Sequence, residues 1–239
     1  MLNDLKIVVS GKYAMFTRPE FKTERVSYDV PPPGALEGLL KSIYWKPSMR
    51  YVIDNIIVFN PINFINIRTN EVDSKLSFSK VKSAMQTGSD PSLYRSDICT
   101  QRASKMLTDV KYGIEFHIEL TGIKNERGRE TIEKQIEIFT RRVLKGQWFK
   151  TPCFGLTELP VEKIELVNDF DLSEIHPSIL KNKDYDLGYM LYRTQFRDEN
   201  DKNAWATHTF SDIADGVYYR PHMKNGVINV KLYRQDIII

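Results

Sequence analysis

The chain has 239 residues, of which 41% are hydrophobic and 27% charged, with a formal net charge of +3, enough for one large domain or a main domain with a small second one. No run reaches the ~20 apolar residues of a membrane helix, and the N-terminus lacks the features of an export signal. Two cysteines without metal-ligand spacing, Cys99 and Cys153, suit a reducing compartment, so a cytoplasmic location is expected.

So small a net charge does not call for nucleic acid. Basic residues nevertheless gather in 12–25, 75–105 and 141–150, which are either solvated faces or local phosphate-binding fields.

Residues 5–10 read as a central strand ended by Gly11. Through 13–30, Arg18, Lys22 and Arg25 are interleaved with Phe16, Phe21 and Tyr28. Cations and flat rings in this mixture either hold phosphates and stack bases or form a partly buried loop with charged tips. Pro31, Pro32 and Pro33 start a helix, whose stripe of Leu36, Leu39, Leu40 and Ile43 stops near Pro47. Tyr44, Trp45 and Lys46 close it, with Tyr44 either a core aromatic with a wet hydroxyl or a side chain reaching over the sheet edge. Residues 50–60 and 62–68 predict a hairpin pair broken by Pro61. Residues 69–104, polar and poor in aliphatic side chains, predict an exposed loop that can serve as an RNA-contacting flap.

Residues 113–120 alternate, with Ile114, Phe116, Ile118 and Leu120 on one face and Glu115, His117 and Glu119 on the other. Lys111 and Gly113 share the second face. His117 is thus expected between two carboxylates on an open sheet surface, either to meet a ligand or merely tolerated there. A charged turn, 122–128, leads to a helix over 130–145 striped by Ile132, Ile136, Phe139 and Val143, ending in Arg141, Arg142 and Lys145. A loop carrying Lys150 and a strand over 160–167 follow. The order β-α-β-β-(insert)-β-α-β predicts a ferredoxin-like sheet with two helices on one face and the other face open.

Beyond an acidic linker, 168–184, three strand-like runs at 187–196, 207–219 and 226–233 predict a small antiparallel meander. The expectation is an α+β protein with a main domain over 1–167 bearing an inserted loop at 69–104, and a small β-sheet domain over 185–239. His176, His208 and His222 read as structural or surface residues.

Four segments together resemble a known family. FTRPEFKTERVSYDV (16–30) runs into a helix ending in SIYWKP (42–47), QRA (101–103) precedes the central strand, and KGQWF (145–149) leads to PCFG (152–155) and Glu158. Across residues 5–165 this is similar to the Cas five family of CRISPR-associated proteins, type I-C (Dvulg) variant. The resemblance implies a ferredoxin-like, RRM-type N-terminal domain with a small antiparallel β-sheet C-terminal domain. It also implies an endoribonuclease that cuts the repeat stem-loop of pre-crRNA and keeps the 5′ handle of the mature crRNA, in an interference complex with Cas seven and Cas eight type subunits.

The family's tyrosine and histidine fall on Tyr44 and His117. For its lysine, this sequence offers Lys111 and then Lys46. RNA contacts are expected from Arg18, Lys22, Arg25, Lys46, Arg102, Lys145 and Lys150, with no metal or cofactor. Attack of a 2′-OH on the adjacent phosphate, leaving a 2′,3′-cyclic phosphate, needs proton transfer and charge neutralisation but no metal. His117, of an ordinary pKa of about 6.5 and flanked by carboxylates, is expected as general acid, Tyr44 to position or protonate the other oxygen, and a lysine to hold the charge. A non-catalytic subunit that binds the 5′ handle is the alternative reading, and secondary metal-dependent DNA nicking a weaker third.

Overall fold

The structure is a computed structural model that describes residues 4–21, 23–122, 130–196 and 214–235. Lys22, His208, the turn after Gly122 and the first part of the 207–219 run lie outside them. The fold is mixed α and β around a mostly antiparallel sheet, and no described helix is long and apolar enough to cross a membrane.

Strand β5, Cys99–Leu120, is the axis. Its inner half is flanked antiparallel by β1 (Leu5–Ala14) and β3 (Met49–Val58), which meet Gly113 from opposite sides through Val8 and Ile57. β6 (Lys163–Val167) pairs with β1, so these four strands run in the order β6-β1-β5-β3. Ile114, Phe116 and Ile118 point to the buried face, as their alternation predicts.

Two helices cover that face. In α1 (Pro33–Ile43), proline at the first position fixes the entry, and Leu36, Leu39, Leu40 and Ile43 are buried. In α3 (Ile132–Leu144), the Thr131 side chain caps Lys134 N–H, and Arg141 and Arg142 sit in the last turn, where they oppose the helix dipole. The buried residues of α3 are Gln135, Phe139 and Val143. Phe139 packs edge-on against Phe116 at 5.4 Å and Tyr51 at 5.7 Å.

The expected hairpin between 50–60 and 62–68 does not form. One edge of β3 is taken by β5 and the other by β11 (Val227–Asn229). Strand β4 (Asn63–Val72) instead pairs with the outer half of β5, from Asn63↔Thr108 to Val72↔Cys99. The expected loop at 69–104 is therefore a two-stranded arm, tipped by α2 (Phe78–Thr87) and a short 3-10 turn at Arg95–Asp97. Both faces of this arm are largely exposed, so no apolar alternation marks its strands. At its base β2 (Arg25–Val26) runs parallel to β5.

The C-terminal strands likewise depart from a separate meander. β7 (Asp184–Asp186), β10 (His222–Lys224) and β11 extend the main sheet beyond β3. β8 (Met190–Phe196) and β9 (Ala214–Tyr219) form a second, two-stranded sheet, anchored where Leu191 N–H donates to the Tyr28 hydroxyl at 3.1 Å. One continuous core joins both regions. The expected linker, 168–184, carries a short helix α4 (Pro177–Leu180). Its Phe170 ring lies against Gly113 and Phe59, so part of the sheet face expected to be open is covered.

Candidate active site and nucleic-acid interface

Tyr44 leaves α1 in extended conformation (φ −156°), which turns its side chain from the helix towards α3. Its hydroxyl donates to Gln135 Oε1 at 2.6 Å, and its carbonyl accepts from the Tyr51 hydroxyl at 2.6 Å. The fully buried Gln135 in turn donates from Nε2 to Glu130, whose carboxylate faces Lys46 at 3.5 Å and Lys134 at 3.8 Å. Arg142 donates to the Ile43 carbonyl at 2.9 Å, its guanidinium lying 5.2 Å from the centre of the Tyr44 ring. Burial, reinforced by Glu130, raises the phenol pKa above its ordinary value against the opposing charges of Arg142 and Arg141.

This cluster forms one wall of a cleft of about 950 Å³ between α1, β8 and the 142–155 segment. Four cations line it, Lys41, Lys46, Arg142 and Arg193, against one carboxylate, Glu37, together with the rings of Phe16, Trp45, Phe149 and Tyr192. Phe149 and Lys150 N–H groups both donate to the Ser42 carbonyl at 3.0 Å, which fastens the loop after α3 to the end of α1. Excess positive charge beside flat rings suits a single-stranded polyanion with stackable bases.

His117 is on the other side of the sheet. It stands opposite Val52, with Nδ1 2.6 Å from Asp54 Oδ2 and Nε2 3.4 Å from Glu119 Oε1. Arg234 holds the second Asp54 oxygen at 2.8 Å, and Arg50 bonds Glu119 at 2.6 Å. Burial pushes the Glu119 carboxyl up, but Arg50 and His117 together hold it below its ordinary value. Asp4, Asp54 and His117 place ligand-type atoms within 4.8 Å of one another, although both Asp54 oxygens are already engaged by Arg234 and His117. Lys111 shares this face but lies six residues along the strand, about 20 Å away, bound to Glu174 at 2.6 Å. The structure therefore does not bring Tyr44, His117 and Lys111 together: the apolar layer of Phe116, Ile118 and Tyr51 separates the first from the other two.

The sequence matches the family described as CRISPR-associated protein (Cas_Cas5) over residues 4–231. It is 41% identical to a Mannheimia succiniciproducens protein named CRISPR pre-crRNA endoribonuclease Cas5d, over 99% of both chains. The chain belongs to the Cas5 family. A Thermus thermophilus protein of the same name is 38% identical over 65% of this chain and 61% of its own. Among solved structures, a functionally uncharacterised Streptococcus mutans protein superposes with a TM-score of 0.60 at 21% identity, covering 95% of this chain and 91% of its own. A crystal structure titled as a CRISPR-associated protein gives 0.57 at 21%, covering 95% and 90%.

On this Cas5 chain the described basic residues read from sequence fall in four places. Arg25 and Arg102 converge on Glu71 at the base of the arm, at 3.1 and 3.3 Å. Arg18 lies over the Tyr28 ring, 3.7 Å from both Glu20 and Asp29. Lys46 lines the cleft, Lys150 follows its wall residue Phe149, and Lys145 caps the end of α3 on a different surface patch, with Ile136 and Leu144. Sequence reasoning missed Gln135, Glu130 and Arg193, and read Arg142 only as part of the basic 141–150 segment. A signal existed for one of them: Gln135 is spaced by four from Phe139 and by eight from Val143, which puts a polar amide on the buried stripe, where it must be bonded.

Proposed function

We propose that this Cas5 chain is a metal-independent CRISPR pre-crRNA endoribonuclease whose cleavage centre is the cleft beside Tyr44. The cation-rich cleft carries this reading, supported by 41% identity across essentially the whole of a relative named for that activity. In the reaction the 2′ oxygen bonds to phosphorus, the bond to the 5′ oxygen breaks, and the products carry a 2′,3′-cyclic phosphate and a 5′-OH. Lys46 and Arg142 are placed to neutralise the phosphorane, and Tyr44 to hold the attacking hydroxyl in line. His117 and Lys111, beyond the sheet, take no part in this centre.

The order β6-β1-β5-β3 with two helices on one face supports a ferredoxin-like, RRM-type reading of the N-terminal region. The basic residues at the arm base and around the cleft would hold the repeat stem-loop and then the mature crRNA handle, in a complex with Cas seven and Cas eight type subunits. Arg25 and Arg102 would exchange Glu71 for phosphate as RNA binds.

A non-catalytic handle-binding subunit is the second reading, favoured by one observation: the cleft lining contains no histidine among the described residues. Incubating the protein with repeat RNA in EDTA decides between them. A discrete cut with a cyclic phosphate end supports the nuclease, and a gel shift without cleavage supports the holder.

A further inference from the structure

We propose that Gln135, oriented by Glu130, is a positioning residue that makes Tyr44 a hydrogen-bond acceptor towards RNA, an inference that rests on the cleavage centre lying beside Tyr44. An amide can present either its oxygen or its nitrogen to a phenol. Here the choice is forced. The Glu130 side chain faces the ammonium groups of Lys46 and Lys134 at 3.5 and 3.8 Å, which favour its ionised form, and a carboxylate can only accept. Gln135 must turn Nε2 to it, which leaves Oε1 for Tyr44, and the 2.6 Å bond takes the phenolic proton inward.

The rest of Tyr44 is equally fixed. Its N–H donates to the Leu40 carbonyl at 3.2 Å, its own carbonyl accepts from Tyr51, and Arg142 lies across its ring. What the phenolic oxygen has left for a substrate is its lone pairs. These accept from a 2′-OH and orient it for in-line attack, whereas they offer nothing to a leaving oxygen that needs a proton. A phenol of ordinary pKa, about 10, is protonated around neutral pH, and burial pushes Tyr44 further up, so Tyr44 holds the nucleophile rather than removing its proton. Tyr44 orients the 2′-OH before attack; as the O2′–P bond forms and the P–O5′ bond breaks, the 2′ proton leaves its bond to Tyr44 for a solvent water and O5′ takes a proton from solvent.

The test is single-turnover cleavage of repeat RNA in EDTA, with RNA affinity by gel shift and folding by thermal melt, for Tyr44→Phe, Gln135→Met, their combination, and the swap Glu130→Gln with Gln135→Glu. Gln135→Met is expected to slow cleavage on the order of 100-fold at unchanged RNA affinity and to add no loss in the Tyr44→Phe background. The swap is expected to recover the rate to within about tenfold of wild type, because the introduced amide donates to the introduced carboxylate, whose other oxygen still accepts from Tyr44. Near wild-type cleavage by Gln135→Met alongside a failed Tyr44→Phe would overturn the inference and leave the cleavage centre standing. So would a folded but inactive swap, or a further loss in the Tyr44→Phe background. Wild-type cleavage by Tyr44→Phe would instead remove the cleavage centre itself.

Discussion

Tyr44 and His117 are separated by the thickness of a β-sheet, and each is explained by its neighbours. Tyr44 has a committed proton, a fixed backbone and a cation over its ring, features of a side chain held for one geometry. His117 is enclosed by Asp54 and Glu119, which are themselves answered by Arg234 and Arg50, features of an electrostatic knot that ties the chain's C-terminal segment to β3. Tyr44→Phe is expected to lower the single-turnover cleavage rate on the order of 100-fold while gel shifts show unchanged RNA affinity. His117→Asn is expected to cleave at the wild-type rate and to lower unfolding stability by about 1 kcal/mol, read by urea denaturation. A cleavage defect in His117→Asn without loss of fold would restore the histidine to the mechanism.

At the scale of elements, Gly155 shows how tightly the cleft wall is set. It sits at φ +86°, and a Cβ there would lie 1.8 Å from the Met15 carbonyl oxygen. Gly155→Ala is therefore expected to cost about 2 kcal/mol or more, seen as a lowered melting temperature. At the other end of the fold, hydrogen bonds from Arg220 hold the Asp186 carboxyl of β7 at about 2, below its ordinary range. A depressed carboxyl stabilises the fold above its unfolded pKa of about 3.9, and this contribution is lost as pH falls through about 2. Arg220→Met is expected to flatten the fall in unfolding midpoint between these values, measured by urea titration at a series of pH.

Much of this was legible before any coordinates. Prolines and a leucine stripe marked α1, an apolar stripe and basic end marked α3, and the alternation in 113–120 assigned the faces of β5. The same alternation already separated the two proposed catalytic rings. Right-handed crossovers place both helices on one face, and that face must be the apolar one, so a residue closing α1 lies over Phe116 and Ile118 rather than beside His117. Partner choice among strands was not legible, because β3 and β4 carry no residue-level mark that tells a hairpin from two separate pairings with β5. The arm escaped notice for a related reason: strands wet on both sides lose the period that reveals them.

For the whole molecule, the docking of β11 on β3 and of β8 against α1 means that the C-terminal third completes the core. Met190, Val217, Tyr219, Ile228 and Val230 are all buried in it. A chain ended after residue 183 is expected to expose the β3 edge and the outer face of α1, and to show no cooperative thermal transition by circular dichroism. The intact chain is expected to melt in a single step.

The two ends of the principal sheet have a consequence for association. β6 ends it with five residues and an exposed Lys163–Glu165 pair, and β7 ends it with three residues whose aspartates are held by His222 and Arg220. Short, charged borders of this kind discourage a stranger's backbone from zipping on. β4, ten residues long and paired among the described residues with β5 alone, is long for a border strand, and its Glu71 pair with Arg25 and Arg102 sits near one end. Lateral growth, whether wanted in an assembly or unwanted in a concentrated stock, is thereby steered away from the body of the molecule and out along its projecting limb.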